Sequence, residues 1–516
     1  MLIVMYRLSP NQPLHHPLSA RCLAIAIAML IIAPAVSRAQ ESWTQTHKLL
    51  AEDGRLNAFF GWRVGMSGES IVISAPQDHE NGLFSGAVYV FDHHGMQLRK
   101  IAEHPPRVGG RFGWTLAADG DRAVAADPYG DSYAERGSVV VLDVATGKTL
   151  RQLRCANQDD PFPNFCAIAL RGQRVVIGSP AGVGSNKWPG AAYAFDIETG
   201  EQLLRIIAPD ARDGQAFGSA VAIGGDKIAV SAYFDETEGL RTGSVYVFDL
   251  STGAYQYKLQ PPDPVEEMCF GDSLAVAGDR LVVGAYHDNV NGPRSGSVYV
   301  YDLNMGRQLR KIAPSDGIEE QSFGRALAID GQRLVVGAFY DEDMGFRSGS
   351  VYLYDLSAYE LIAKLSASDG EEFETFGNDV AIQGGRLIIG ARACNDLGWT
   401  SGAAYIFEAE NLLRVSPDPL VGGEAGTFSV FGARPEQPIW LLYSLRGVGS
   451  THIPQLNVTA DLSLPRLGCE PGLTDQSGDW ATTSVLPRVV GTTSVWFQAV
   501  QRENKTNVAT MQITPE

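Results

Sequence analysis

The sequence predicts an all-β chain: a seven-bladed β-propeller followed by a small Ig-like β-sandwich. Three observations predict it. The phrase Ser-Gly-Ser-Val-Tyr-Val-Tyr-Asp recurs with variations, its glycine falling at Gly86, Gly137, Gly190, Gly243, Gly296, Gly349 and Gly402, spaced by 51 and then 53 residues. A second phrase, Phe-Gly, keeps the same period at Phe60-Gly61, Phe112-Gly113, Phe217-Gly218, Phe270-Gly271, Phe323-Gly324 and Phe376-Gly377, with Phe165-Cys166 in the third copy. Each copy also divides into four short strand-like runs, and four strands in about 50 residues is the size of a propeller blade.

The sixth copy shows the pattern. Residues 323–329 alternate, Asp330-Gly331 suits a tight hairpin, and residues 333–338 (RLVVGA) are continuously apolar, as a strand buried on both faces should be. A loop leads to a third strand over 349–355, and a short turn to a fourth over 361–365. A ring of blades must close or leave edges unpaired. Residues 48–54 (KLLAEDG) match residues 311–317 (KIAPSDG), a fourth strand and its exit, so the N-terminal segment is expected to complete the seventh blade.

The regions flanking the repeats read differently. Arg7 and Arg21 are followed by an apolar run over 22–33 and by Ser37-Arg38-Ala39, the order of a secretory signal cleaved near Ala39. The run is too short for a comfortable membrane span, so no transmembrane anchor is expected. After Glu410 the repeat stops. Runs at 427–431, 439–444, 456–462, 481–486 and 495–500 have the spacing of a β-sandwich. The expected domains are therefore a signal at 1–39, a propeller at 40–410 and a sandwich at 411–516. Export, to the periplasm, cell surface or medium, follows from the signal.

Composition excludes some functions. The net charge is −18, and loss of the signal's three arginines makes it −21. Such a chain is repelled by phosphate backbones, which argues against nucleic-acid binding. Outside the signal the cysteines are Cys155, Cys166, Cys269, Cys394 and Cys469, an odd number without a CxxC. Cys155 and Cys166 are spaced as a pair would be, or as two buried thiols.

The Phe-Gly pair, the later Gly-Ala-Tyr or Ser-Ala-Pro phrase and the Ser-Gly-Ser-Val-Tyr strand together resemble the FG-GAP repeat of integrin α-subunit propellers and secreted bacterial proteins, over about residues 46–410. The resemblance implies a propeller and an adhesion or binding role. Integrin-type repeats often carry a calcium loop between the first and second strands. Here that connection is a tight turn, such as Gly225-Asp226 or Gly278-Asp279, without room for six oxygen ligands.

In an up-and-down blade the loops after the second and fourth strands share one face, and here both sets are acidic. The second-to-third loops hold Asp78 with Glu80, Asp235, Asp288, and Asp341 with Asp343; the fourth-to-first loops hold Asp210, Asp263, Asp316 and Asp369. Asp78, Glu80, Asp235, Asp288, Asp341 and Asp343 are candidate oxygen ligands for a cation such as calcium. Alternatively, each aspartate caps its own loop. The expected function is an extracytoplasmic scaffold presenting this face to a protein, glycan or cation. The rival is a secreted hydrolase or quinoprotein-like enzyme with its site on the same face. For that rival, Gly271-Asp272-Ser273-Leu274 matches a hydrolase motif only by letters, since it opens a hairpin strand. The Asp-Thr-Gly turns, such as residues 196–200, resemble quinoprotein repeats but lack the docking tryptophan. No His-Glu-x-x-His or Gly-x-Ser-x-Gly occurs. No catalytic or cofactor-binding residue is assigned.

Overall fold

The computed structural model describes residues 42–103, 107–129, 136–155, 167–180, 189–237 and 239–409, and beyond 409 the backbone of the strands alone. The signal, Cys166 and Cys469 lie outside these residues. Among the described residues no helix is long and apolar enough to cross a membrane.

Seven four-stranded antiparallel sheets form the propeller. Blade 1 runs through Val64–Ser67, Ser70–Ala75, Ala87–Asp92 and Gln97–Ile101. Blade 4 runs through Phe217–Gly224, Lys227–Ala232, Ser244–Asp249 and Tyr255–Leu259. The first strands of neighbouring blades contact one another round the ring, blade 7 meeting blade 1, so they line the central axis. The second and third strands bury nearly every residue, Leu281, Val282, Val283, Val298 and Val300 being fully enclosed between blades. A strand with no solvent face can be apolar throughout, which explains the unbroken apolar runs.

The ring closes as the 48–54 match requires. Trp43–Leu49 pairs antiparallel with Ala403–Ala409 as the fourth strand of blade 7, beside Arg386–Ala391 and Val380–Gln383. Joining the two ends of the repeat array in one sheet removes the edge that an open ring would expose.

The first strand of blade 6 spans Ala326–Asp330, beginning later than the alternation suggests. Phe323-Gly324 stands before it as part of a joint between blades. The Phe323 N–H donates to the Ser295 carbonyl of blade 5 at 3.0 Å, Phe270 to Thr242 at 2.8 Å, and Phe60 to Ser401 across the closure at 3.0 Å. This joint dictates the glycine of the other phrase. Gly243 has φ +95°, and a Cβ there would meet the Phe270 carbonyl oxygen at 2.2 Å, so only glycine admits the neighbouring blade's backbone so closely. The two recurring phrases are thus two halves of one inter-blade contact.

Beyond residue 409 the strands Ala425–Phe431, Pro438–Ser444, Val458–Leu462, Trp480–Val485 and Thr493–Gln501 coincide with the alternating runs. They pair into a three-stranded sheet, a seven-stranded sheet and a separate hairpin.

Candidate functional site

The candidate acids fall into separate clusters, each built by one blade around a lysine. In blade 4, Asp235 follows the buried second strand and is itself buried. Lys258, from the fourth strand, reaches across the third to lie 2.6 Å from Asp235 and 2.7 Å from Asp210 of the preceding fourth-to-first loop. The Tyr246 hydroxyl, from the third strand between them, donates to Asp210 at 2.8 Å and lies 3.3 Å from Asp235. Gln215 and Arg212 donate to the other Asp235 oxygen at 2.9 and 2.7 Å.

The set repeats. In blade 1, Lys100 lies 2.5 Å from Asp53, 3.0 Å from Asp78 and 2.6 Å from Glu80, with Tyr89 donating to both aspartates. In blade 5, Lys311 bridges Asp263 and Asp288 beside Tyr299. In blade 6, Lys364 lies 2.8 Å from Asp316, 2.9 Å from Asp341 and 2.7 Å from Asp343, with Tyr352 alongside. The six candidate ligands are therefore divided among four blades, with Asp78 brought to Glu80 and Asp341 to Asp343. Each lysine's ion pairs stay within its own cluster.

The two carboxylate oxygens of the inner aspartate have different partners. One carboxylate oxygen caps the loop: Asp78 accepts from the Glu80 N–H, Asp288 from Asn289 and Asp341 from Glu342, at 2.7–2.9 Å. The other oxygen faces a cation, and that cation is the chain's own lysine. Burial alone would raise the Asp235 carboxyl pKa, but Lys258 and Ser244 outweigh it and hold it below the ordinary value. Asp53, Asp210, Asp263 and Asp316 are likewise depressed, against their own desolvation, by hydrogen bonds from their lysines. Lys364 and Lys100 are raised in turn by their carboxylates, despite burial.

Blade 7 varies the set. Lys48 bridges Asp369 and Asp396 at 2.7 and 2.6 Å. Cys394 occupies the inner aspartate's position, its thiol 3.0 Å from Glu374 and 2.7 Å from Asp396. Burial, then the two carboxylates, push that thiol's pKa up, and burial raises Glu374 above its ordinary value. Among the described residues no three His, Cys, Asp or Glu side chains are grouped as a metal site.

Sequence reasoning missed the lysines and tyrosines. The signal was present as a fixed interval: Asp210 to Lys258, Asp263 to Lys311 and Asp316 to Lys364 are each 48 residues apart. The other sequence candidates are occupied structurally. Ser273 precedes its strand and donates to the Gly324 carbonyl at 2.6 Å. Asp196 caps its turn through Glu198 and Thr199.

A second feature of the same face is apolar. Phe346 and Phe373, on adjacent loops, meet edge to face at 5.3 Å, and Trp399 and Leu56 stand exposed on the next loops.

The comparisons agree with the repeat. The FG-GAP repeat family matches residues 43–91, 201–248, 255–301, 307–354 and 359–407. No curated protein matches the chain. Among solved structures, a fungal alcohol oxidase of the AA5 family in complex with copper is 11% identical, covering 92% of this chain and 100% of its own, with a TM-score of 0.42. A europium-containing methanol dehydrogenase is 10% identical, covering 71% of this chain and 93% of its own, with a TM-score of 0.40. Likeness at that level carries no argument about chemistry. The chain thus carries five FG-GAP repeats within a closed ring of seven propeller blades.

Proposed function

We propose that the chain is an extracytoplasmic binding scaffold whose loop-bearing propeller face takes a protein or glycan ligand, with the C-terminal strands forming a β-sandwich module beside it. One observation carries this reading: large apolar side chains stand in solvent at the loop tips of that face. Trp399 is 67% exposed, Phe373 52% and Phe346 46%, and all three lie on blades 6 and 7 or the loop joining them. Exposed aromatics grouped on one face are costly to leave in water and are the residues that anchor partners. The acidic rim around them suits a ligand with basic groups, by complementarity of charge.

The five lysine clusters are read as scaffold. Each carboxylate pair already holds an ammonium group, so calcium at these aspartates must displace a lysine and leave it in a half-buried site. Support for export comes from the signal-like residues 1–39.

The test is binding of the full chain to arrays of extracellular proteins and glycans. Trp399→Ser with Phe346→Ser is expected to abolish the strongest binding. Met305→Ser, at an exposed turn of the opposite face, should preserve it. Equal binding by both variants would overturn the assignment of the face. A visible quinone absorption band, or hydrolysis lost when one acidic cluster is neutralised, would favour an enzyme instead.

A further inference from the structure

The residues at the entries to the innermost strands form an arc of guanidinium and aromatic groups round the mouth of the central channel. Arg325, before the first strand of blade 6, lies 5.3 Å from the Tyr286 ring of blade 5 and pairs with Asp272. Arg63, before the first strand of blade 1, pairs with Asp379 of blade 7 at 3.2 Å. Between them is Arg392, at the end of the second strand of blade 7. Its guanidinium lies 4.7 Å from the Trp62 ring of blade 1 and 5.8 Å from that of Phe339 of blade 6. Trp62 in turn rests 4.5 Å from Trp114 of blade 2.

The charges do not balance. Arg63 and Arg325 each have an aspartate. Among the described residues no carboxylate pairs with Arg392, whose contacts are the two aromatic faces and a backbone hydrogen bond from its own N–H to Asn378. Among the described residues, Arg392 is thus a positive charge beside two paired guanidiniums without a carboxylate of its own. Burial, then the Arg325 and Arg63 guanidiniums, pull the Arg392 pKa down to about 10, as expected of a cation lacking its counter-ion.

We propose that the channel mouth is a binding site for a monoanionic carboxylate, which takes the Arg392 guanidinium as its counter-ion. A guanidinium fork matches a carboxylate with two parallel N–H···O bonds. The surplus of a single charge selects a monoanion, because a dianionic phosphate brings its second charge against Asp272 and Asp379. The site is distinct from the exposed loop tips and does not depend on their role.

Calorimetric titration of the full chain with benzoate at constant ionic strength tests this, with benzamide as the neutral isostere and phosphate as the dianion. Saturable benzoate binding is expected, with benzamide and Arg392→Met each weaker by roughly tenfold or more. No saturable benzoate heat at about 50 mM, where even weak affinity registers, or equal affinity for benzoate and benzamide, would overturn the proposal. Should Arg392→Met fail to fold, Asp379→Asn raises the local surplus to two charges and is expected to shift preference towards phosphate. An unchanged preference in that folded variant would overturn the proposal.

Discussion

Blades 4, 5 and 6 bury an aspartate beside a lysine, a tyrosine and a second aspartate, whereas blades 2 and 3 do not carry the full set. In blade 2 the tyrosine's position is Val140 and the lysine's is Gln152, paired across the same two strands. In blade 3 the sequence has Gly182 and Asn157 at the 53-residue interval from Asp235 and Asp210, while Tyr193 remains and Arg205 takes the lysine's position opposite it. The family model matches the five blades that carry the lysine and passes over these two. A buried carboxylate without its cation is strongly destabilising, and so is the reverse. Blade 2 also shows a different solution. Its Asp127, buried one step earlier on the second strand, lies 3.8 Å from Arg107 of a loop, while Ser138 donates to Glu103 at 2.6 Å.

The contrast is sharpest in the lysine itself. Lys258→Met removes one of the two cations at buried Asp235 and leaves Arg212, and is expected to cost about 1–3 kcal/mol in chemical denaturation. Gln152→Met, at the matching exposed position of blade 2, should stay within about 0.5 kcal/mol. Similar costs for both would break the comparison.

Acid should expose the same difference. Asp53, Asp210, Asp235, Asp263 and Asp316 have folded pKa values below their unfolded 3.8. Their contribution is therefore complete above the unfolded value and lost as pH falls through the folded values. The melting temperature should drop below about pH 4. The drop should be shallower in a folded Asp235→Asn, Lys258→Met double variant.

Blade 7 supplies a smaller, sharper test. Cys394→Asp restores the aspartate of blades 4–6 but sets it against Glu374 and Asp396. A loss of about 1–3 kcal/mol at neutral pH is expected from the crowded like charges. Adding Glu374→Gln, the residue type that blades 4 and 6 carry there, should recover most of it. The smallest effect belongs to the exposed face: Trp399→Ser should leave stability within about 0.5 kcal/mol.

Much of this was legible in the sequence. The seven glycines and the Phe-Gly pairs mark the blades, and the match of residues 48–54 to 311–317 places the first strand in the last blade. The alternation places the Phe-Gly pair in the first strand, which holds for Phe217-Gly218 of blade 4 and not for the other blades that carry the pair. Alternation cannot distinguish a residue that pairs within its own sheet from one that binds the next blade. Asp235 and its counterparts were legible as special because they recur, but their cation was not. The lysine lies on a different strand, separated in sequence by a complete third strand, and periodicity reports faces without reporting which side chains meet across them.

Sequence alone therefore determined the blade count, the strand order, the closure and the acidity of the loop face. These follow from local patterns repeated at a fixed interval, and repetition averages out local ambiguity. Tertiary structure decided what the repeated acids do and where charge remains unpaired. Lys258 neutralises Asp235 only because the third strand holds them on either side of Tyr246. Closing the ring carries Asp379 of blade 7 to Arg63 of blade 1, while among the described residues no carboxylate pairs with Arg392. Both outcomes depend on distances between residues far apart in the chain, which only the closed ring fixes.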